Sequence, residues 1–455
     1  MMASPAAPTP TMNAGSGKTG AAAVAGTAGT VTGTATGAAL AGVLCWLLLG
    51  DLGIAMRDRA ALPSGLELLR VAGASDTTTS LLLSMMPAML SMLVVPLVGW
   101  HSDRFRSRWG RRRPFLFVAA PVGCAALAGA AFSPALGAAL HALLGAWSPG
   151  AQTSRLAVFG VFWTVFDCAA LCALSLFTGL VNDVVPFGWL GRFYALFRIV
   201  GLSAGIAFHT WLFALTERHL ATILAGTGIV FGSCILLMCV MVKESPAPAS
   251  SSERSRTLLP RGVAVRPLLW AIGIFVCASA TFNPFNTFYQ FFAHAAGLPK
   301  ATLGLLTASG YVVSIVSAFG IGWLVDRYGA VRVSAVVMTV YCAAATLGWF
   351  TVTDAASFKV FYLVHVIVSG AWFTAAASMP MALFPRARFV QYNATKDFIV
   401  VGTTIVLGAL QGPVLDFSNH DYRLTLLSGA VSGLLCLLCM ARLLAARGAL
   451  PSTAG

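Results

Sequence analysis

The chain has 455 residues, of which 58% are hydrophobic and only 10% charged, with ten cysteines and a formal net charge of +14. A soluble domain carries roughly 25% charged residues, so this composition excludes a soluble enzyme or regulator and points to an integral membrane protein. The basic excess does not imply a nucleic-acid partner, because the arginines punctuate apolar runs and form no solvated face.

Residues 1–36 are mostly Ala, Gly, Thr, Ser and Pro with a single charge, Lys18. No cationic start leads into a leucine-rich core, so a cleaved signal peptide is not expected. A disordered cytoplasmic tail is, since little apolar area is available to offset chain entropy. Twelve apolar spans follow, near 37–56, 78–100, 114–134, 156–181, 193–214 and 222–242, then 267–292, 301–323, 331–353, 357–384, 397–415 and 422–446. A spanning helix needs about 20 such residues. The expected domains are thus a six-helix bundle over 37–242, a Ser-, Pro- and Arg-rich cytoplasmic linker over 243–266, a second bundle over 267–446 and a tail over 447–455. With both termini inside, cytoplasmic segments hold 20 Lys and Arg and outer loops hold 8, the bias that membrane insertion imposes. Cys436 and Cys439 have the spacing of a redox or metal pair but sit in an apolar run, and read as packing residues.

Between the second and third spans lies Gly99-Trp-His-Ser-Asp103-Arg104-Phe-Arg106-Ser-Arg108-Trp-Gly110-Arg111-Arg112-Arg113-Pro114. Six arginines and one aspartate in eleven residues cannot lie in hydrocarbon, so this is a cytoplasmic loop. A weaker copy, Gly322-Trp-Leu-Val-Asp326-Arg327-Tyr-Gly329-Ala-Val-Arg332, lies 223 residues on. Such duplication is the trace of a repeated helical bundle. The loop resembles the signature between helices 2 and 3 of the major facilitator superfamily. Its Gly-Arg-Arg-Arg-Pro ending resembles the glycoside-pentoside-hexuronide (sugar–cation symporter) branch, which includes melibiose permeases and plant sucrose carriers. That resemblance implies an all-α membrane protein of twelve transmembrane helices in two pseudo-symmetric six-helix bundles, with substrate near the midplane and alternating access. It also implies an inner gate at Asp103, Arg104, Arg111, Arg112, Asp326 and Arg327.

Ionisable groups within spans are functional hypotheses by default. Asp167 sits mid-span in Phe162-Trp163-Thr-Val-Phe-Asp167, with Trp163 one turn earlier on the same face. Burial favours the neutral form of a carboxyl, so Asp167 is expected to load and release a proton. Asp183 follows sixteen residues on, a spacing similar to that of plant sucrose carriers, and by resemblance Asp167 takes the proton role. Those carriers place an arginine where this chain has Thr178, which argues against sucrose. Arg198, on a face with Gly201, Gly205 and His209, either supplies the missing cation or snorkels to the interface. His209 reads as a packed histidine. Asp51 either faces the cavity or joins the outer interface with Arg57, Asp58 and Arg59.

Asn283, Asn286 and Gln290 fall at i, i+3 and i+7 beside Pro284. They line one face of a bent helix, with amides that donate to and accept from hydroxyl-rich ligands. His365, Trp372, Thr374 and Ser378 read as packing. Asp397 and Arg198 occupy related positions in the two halves, and a gate salt bridge between them is expected. Span 2 has no acidic residue before Asp103, whereas melibiose-type carriers use paired carboxylates there, so proton coupling is preferred to sodium. The expected function is proton-coupled symport of a sugar or glycoside by a monomer in the cell membrane, without cofactor or metal. The alternatives are a lipid, lysolipid or other small-solute carrier of the same superfamily, or a non-transporting membrane sensor. No Walker loop, metal-ligand cluster or nucleophile motif suggests an enzyme.

Overall fold

A computed structural model describes residues 37–185, 187–244, 265–384 and 389–448. The expected N-terminal tail and most of the expected linker and C-terminal tail lie outside these residues. The chain divides into two compact units, 1–42 and 43–455; of the first, only the helical start at 37–42 is described.

Regular structure among the described residues is entirely helical. The first helix, α1, covers 37–71: Gly37–Met56, a π turn at Arg57–Ala61, then Leu62–Val71. The others are α2 (Asp76–Arg104), α3 (Arg113–Ala131), α4 (Ala151–Val184), α5 (187–212), α6 (Thr216–Met241), α7 (Val265–Ala295), α8 (Lys300–Tyr328), α9 (Ala330–Thr351), α10 (Ala355–Ala376), α11 (Phe389–Phe417) and α12 (Leu424–Gly448). The eleven helices α2–α12 are long and apolar enough to cross a membrane. Their outward residues, such as Leu93, Phe319 and Phe350, are large, apolar and exposed, as a lipid-facing surface requires. A further helix, Ser133–Leu144, lies in the connection after α3, and Met379–Leu383 follows a break after α10.

The main departure from the expected spans is α1, which runs fifteen residues past the expected end at 56. Pro63 lacks the N–H that would bond Arg59, and the backbone shifts so that Leu62 N–H reaches Arg57 O. A second π turn, Leu81–Met85, likewise precedes a proline, Pro87. Arg57 and Arg59 therefore lie within α1 and not in a loop.

Packing reproduces the duplication read from the two loops. In the first half α1 packs on α6, α2 on α4, and α3 on α4 and α6; in the second α7 packs on α12, α8 on α10, and α9 on α10 and α12. The halves meet through α5 against α8 and α2 against α11, pairs that exchange when six is added to each number. Two buried cores result, one centred on Trp163, Phe166 and Phe231 and another on Phe282, Tyr341 and Trp372.

Candidate functional site

Asp167 is sixteen residues beyond Ala151 and seventeen before Val184, roughly 25 Å from each end of α4 at 1.5 Å per residue. Its carboxylate accepts a hydrogen bond from Arg57 Nε at 2.6 Å, and Arg57 Nη1 donates to Asp58 at 2.5 Å. Arg57 was expected in an outer loop. That expectation is corrected: Arg57 pairs with Asp167 inside the bundle, and α1 continues through it. Asp58 is 58% exposed although it stands beside the middle of α4. A carboxylate at that depth needs polar surroundings, because hydrocarbon does not solvate it.

Arg59 lies 4.8 Å from the Tyr311 ring centroid on α8. Gly205 on α5 permits this approach, since a Cβ there would come within 2.7 Å of the Tyr311 ring. Asp51 is half-buried, interacts electrostatically with Arg59, and stands twenty residues before the end of α1, well away from any outer interface. Arg198 does not snorkel. Its Nη2 crosses from α5 to donate to Thr374 Oγ1 at 2.6 Å, Ser314 Oγ at 3.2 Å and Gly370 O at 3.3 Å. Asp397 meets Asn393 at 2.9 Å and Lys396 at 2.8 Å, so the expected bridge to Arg198 is not formed here.

The amide stripe on α7 is divided. Asn286 is exposed and bonds His365 Nε2 at 3.1 Å, and Asn283 lies 3.5 Å from Thr404 Oγ1. Gln290, seven residues along from Asn283, is buried and donates to Pro63 O across the halves at 3.0 Å. It belongs to a seal between the halves. Trp163 is 1% exposed, stacked on Phe159 and pressed against Gly65, where a Cβ would come within 2.7 Å of the indole. It packs α1 on α4 and presents no face to a ligand. Thr178 bonds Leu174 O of its own helix at 2.8 Å. His209 packs as expected, with Nδ1 on Gly205 O at 2.9 Å.

At the arginine-bearing end, Arg111 donates to both Asp183 oxygens and Arg112 Nε to one, each at 2.8 Å. Arg112 also lies 3.8 Å from Asp103, and Arg113 donates to Cys239 O at 2.7 Å. Glu244, 9% exposed just past α6, accepts from Arg112 N at 3.0 Å. For Arg111, burial disfavours the charge, yet Asp183, Asp103 and Glu244 raise its pKa above the ordinary arginine value. Arg104 stacks 3.7 Å over Trp100, and Arg327 lies 5.6 Å from Trp323. The same Trp-to-Arg step of four residues occurs in both copies. Asp326 lies one residue before Arg327 near the end of α8.

The opposite end is closed by bonds between the halves. Asp416 on α11 caps the start of α2, accepting from Asp76 N and Thr77 N at 2.9 Å and Thr77 Oγ1 at 2.5 Å. Asp76 accepts from His420 Nδ1 at 2.6 Å and Tyr422 OH at 3.1 Å. Ser80 Oγ donates to Gly408 O at 2.8 Å, and Lys300 lies 3.0 Å from Glu67. A Cβ at Gly412 would stand 2.5 Å from Thr77 Cα, so the two helices touch at backbone distance. Sequence reading missed this cluster because Asp76 and Asp416 are 340 positions apart. Only Asp at a helix start hinted at it.

A family model described as MFS/sugar transport protein matches residues 68–397. Among solved structures, the chain resembles a D-xylose-proton symporter with a TM-score of 0.67 at 15% identity, covering 88% of this chain and 97% of the other. The nucleoside transporter NupG gives 0.64 at 13% identity, covering 88% and 98%. A bacterial homologue of the iron transporter ferroportin, in an inward-facing state, gives 0.64 at 14% identity, covering 89% and 98%.

Proposed function

The chain belongs to the MFS/sugar transport protein family, and from that premise we propose that it is a proton-coupled sugar or glycoside symporter working by alternating access. The observation that carries this reading is the Arg57–Asp167 pair at mid-depth, beside the exposed Asp58. A proton delivered to Asp167 cancels its charge and releases Arg57, whose guanidinium then donates to a substrate hydroxyl or ring oxygen. Loss of the proton restores the pair and expels the substrate. Asn283 and Asn286 supply hydroxyl-matching amides from the second half, and Asp51, Arg59 and Arg198 set the electrostatics of the chamber. Bundles 37–242 and 267–446 rock about it, joined by the 243–266 linker.

The positive-inside tendency assigns the arginine-bearing end to the cytoplasm, so the sealed end faces outward and the conformation is inward-facing. The gate on the inner side comprises Asp103, Arg104, Arg111, Arg112, Asp326, Arg327 and Asp397. We assign the protein to the cell membrane as a monomer with both termini inside. Proteoliposomes given labelled sugars and nucleosides, with and without an imposed pH gradient, test this. Gradient-driven accumulation of a sugar is expected, together with its loss in Asp167→Asn while sugar exchange at equal concentrations persists. Accumulation that ignores the gradient overturns the proton role, and uptake of nucleosides or lysolipids alone overturns the sugar.

A further inference from the structure

We propose that Asp76, Asp416 and His420 form a divalent-cation site shared by the two halves, suited to zinc or an ion of similar character. Asp76 opens α2, whereas Asp416 and His420 come from the end of α11 and the turn after it. One donor atom from each lies within 4.8 Å of the other two. His420 Nδ1 stands 2.6 Å from Asp76 Oδ2 and 3.9 Å from Asp416 Oδ1. Donors that share a zinc at about 2.0–2.1 Å lie roughly 3.3 Å apart, so small side-chain rotations suffice.

Charge points the same way. Asp76 is 1% exposed, and among the described residues neither carboxylate pairs with an arginine or lysine. The neighbouring guanidinium, Arg423, is engaged by both oxygens of Asp421 at 2.9 Å. Two carboxylates thus face one imidazole, with the N–H groups at the start of α2 as the further donors to Asp416. The entering ion takes the Nδ1 lone pair in place of the Nδ1–Asp76 hydrogen bond, and the ring then carries its hydrogen on Nε2. Imidazole with two carboxylates is a donor set that zinc accepts, with water completing the shell. That water has access, because the His420 side chain is 56% exposed. Tyr422 OH, on the other Asp76 oxygen at 3.1 Å, holds the ligand in place as an outer partner. Since the ligands come from both halves, the bound ion fastens the sealed end whatever the cargo.

The test is calorimetric titration of zinc chloride into the chelator-washed full chain in lipid nanodiscs, with thermal unfolding in parallel. One equivalent is expected to bind and to raise the melting temperature. Asp76→Asn and His420→Asn should each weaken binding at least tenfold, and Tyr422→Phe about tenfold. His420 sits at φ +61°, a conformation that asparagine tolerates, so His420→Asn keeps the turn and decides the matter if Asp76→Asn does not fold. Cobalt in place of zinc should show ligand-field bands without thiolate charge transfer. Affinity unchanged in His420→Asn, or abolished by alkylating the ten cysteines, overturns the proposal.

Discussion

The two ends of the molecule are held by different kinds of bond. At the arginine-bearing end, the bonds of Arg111, Arg112 and Arg113 among the described residues run to Asp183, Asp103, Glu244 and the Cys239 carbonyl, all within the first half and its immediate continuation. At the sealed end, Asp416, Ser80, Gln290, Lys300 and His420 each bond across the halves. A contact that stays within one half persists whichever way the halves tilt. In the proposed rocking cycle, a contact across them breaks and reforms. The multi-bonded arginines thus stay within one half, whereas helix capping, single hydrogen bonds and the Lys300–Glu67 ion pair join the two.

The sharpest way to break this contrast is Asp416→Ala. It strips three bonds from the start of α2 and leaves two backbone N–H groups without that acceptor, a cost of about 2–4 kcal/mol to the sealed state. Spin labels at the exposed Val71 and Phe417 should report a longer distance, with little change in melting temperature. Gly412→Val comes next. The added side chain meets Thr77 backbone, and about 1–3 kcal/mol of overpacking should open the same label pair while leaving zinc-independent folding intact. Asp183→Asn probes the other end: losing three charge-assisted bonds should lower stability by about 1–2 kcal/mol without altering the label distance.

The smallest effect belongs to Asp421, whose carboxyl the Arg423 hydrogen bonds hold below the ordinary carboxylate range. A depressed acid contributes stability above its unfolded pKa near 3.9, and that contribution is lost as pH falls through the folded value. Both partners are substantially exposed, so Asp421→Asn should cost below about 0.5 kcal/mol at pH 7. Unfolding curves of variant and parent should converge under strongly acidic conditions.

The helices were legible in the sequence because each must present a long apolar run, and the duplication because both copies keep Gly-Trp, Asp-Arg and a later glycine. The end of α1 was not. Arg57-Asp58-Arg59 has the look of a loop unless one knows that Asp167 waits 110 positions away to neutralise Arg57. Spacing rules reach a few turns along one helix, not across two. The amide stripe on α7 shows the same limit. Asn283, Asn286 and Gln290 do share a face, but Gln290 is roughly 10 Å beyond Asn283 along the axis, where that face meets Pro63 of the other half. Periodicity gives direction around a helix; depth along it decides what the side chain meets.

The π turn at Arg57–Ala61 amounts to one surplus residue wound into the first helix. Winding the same residues as ordinary α-helix would swing the segment beyond the turn by about 100°. Gly65 would turn away from Trp163, and Glu67 from Lys300. The bulge therefore sets the phase between the charged middle of the helix and its sealed tip.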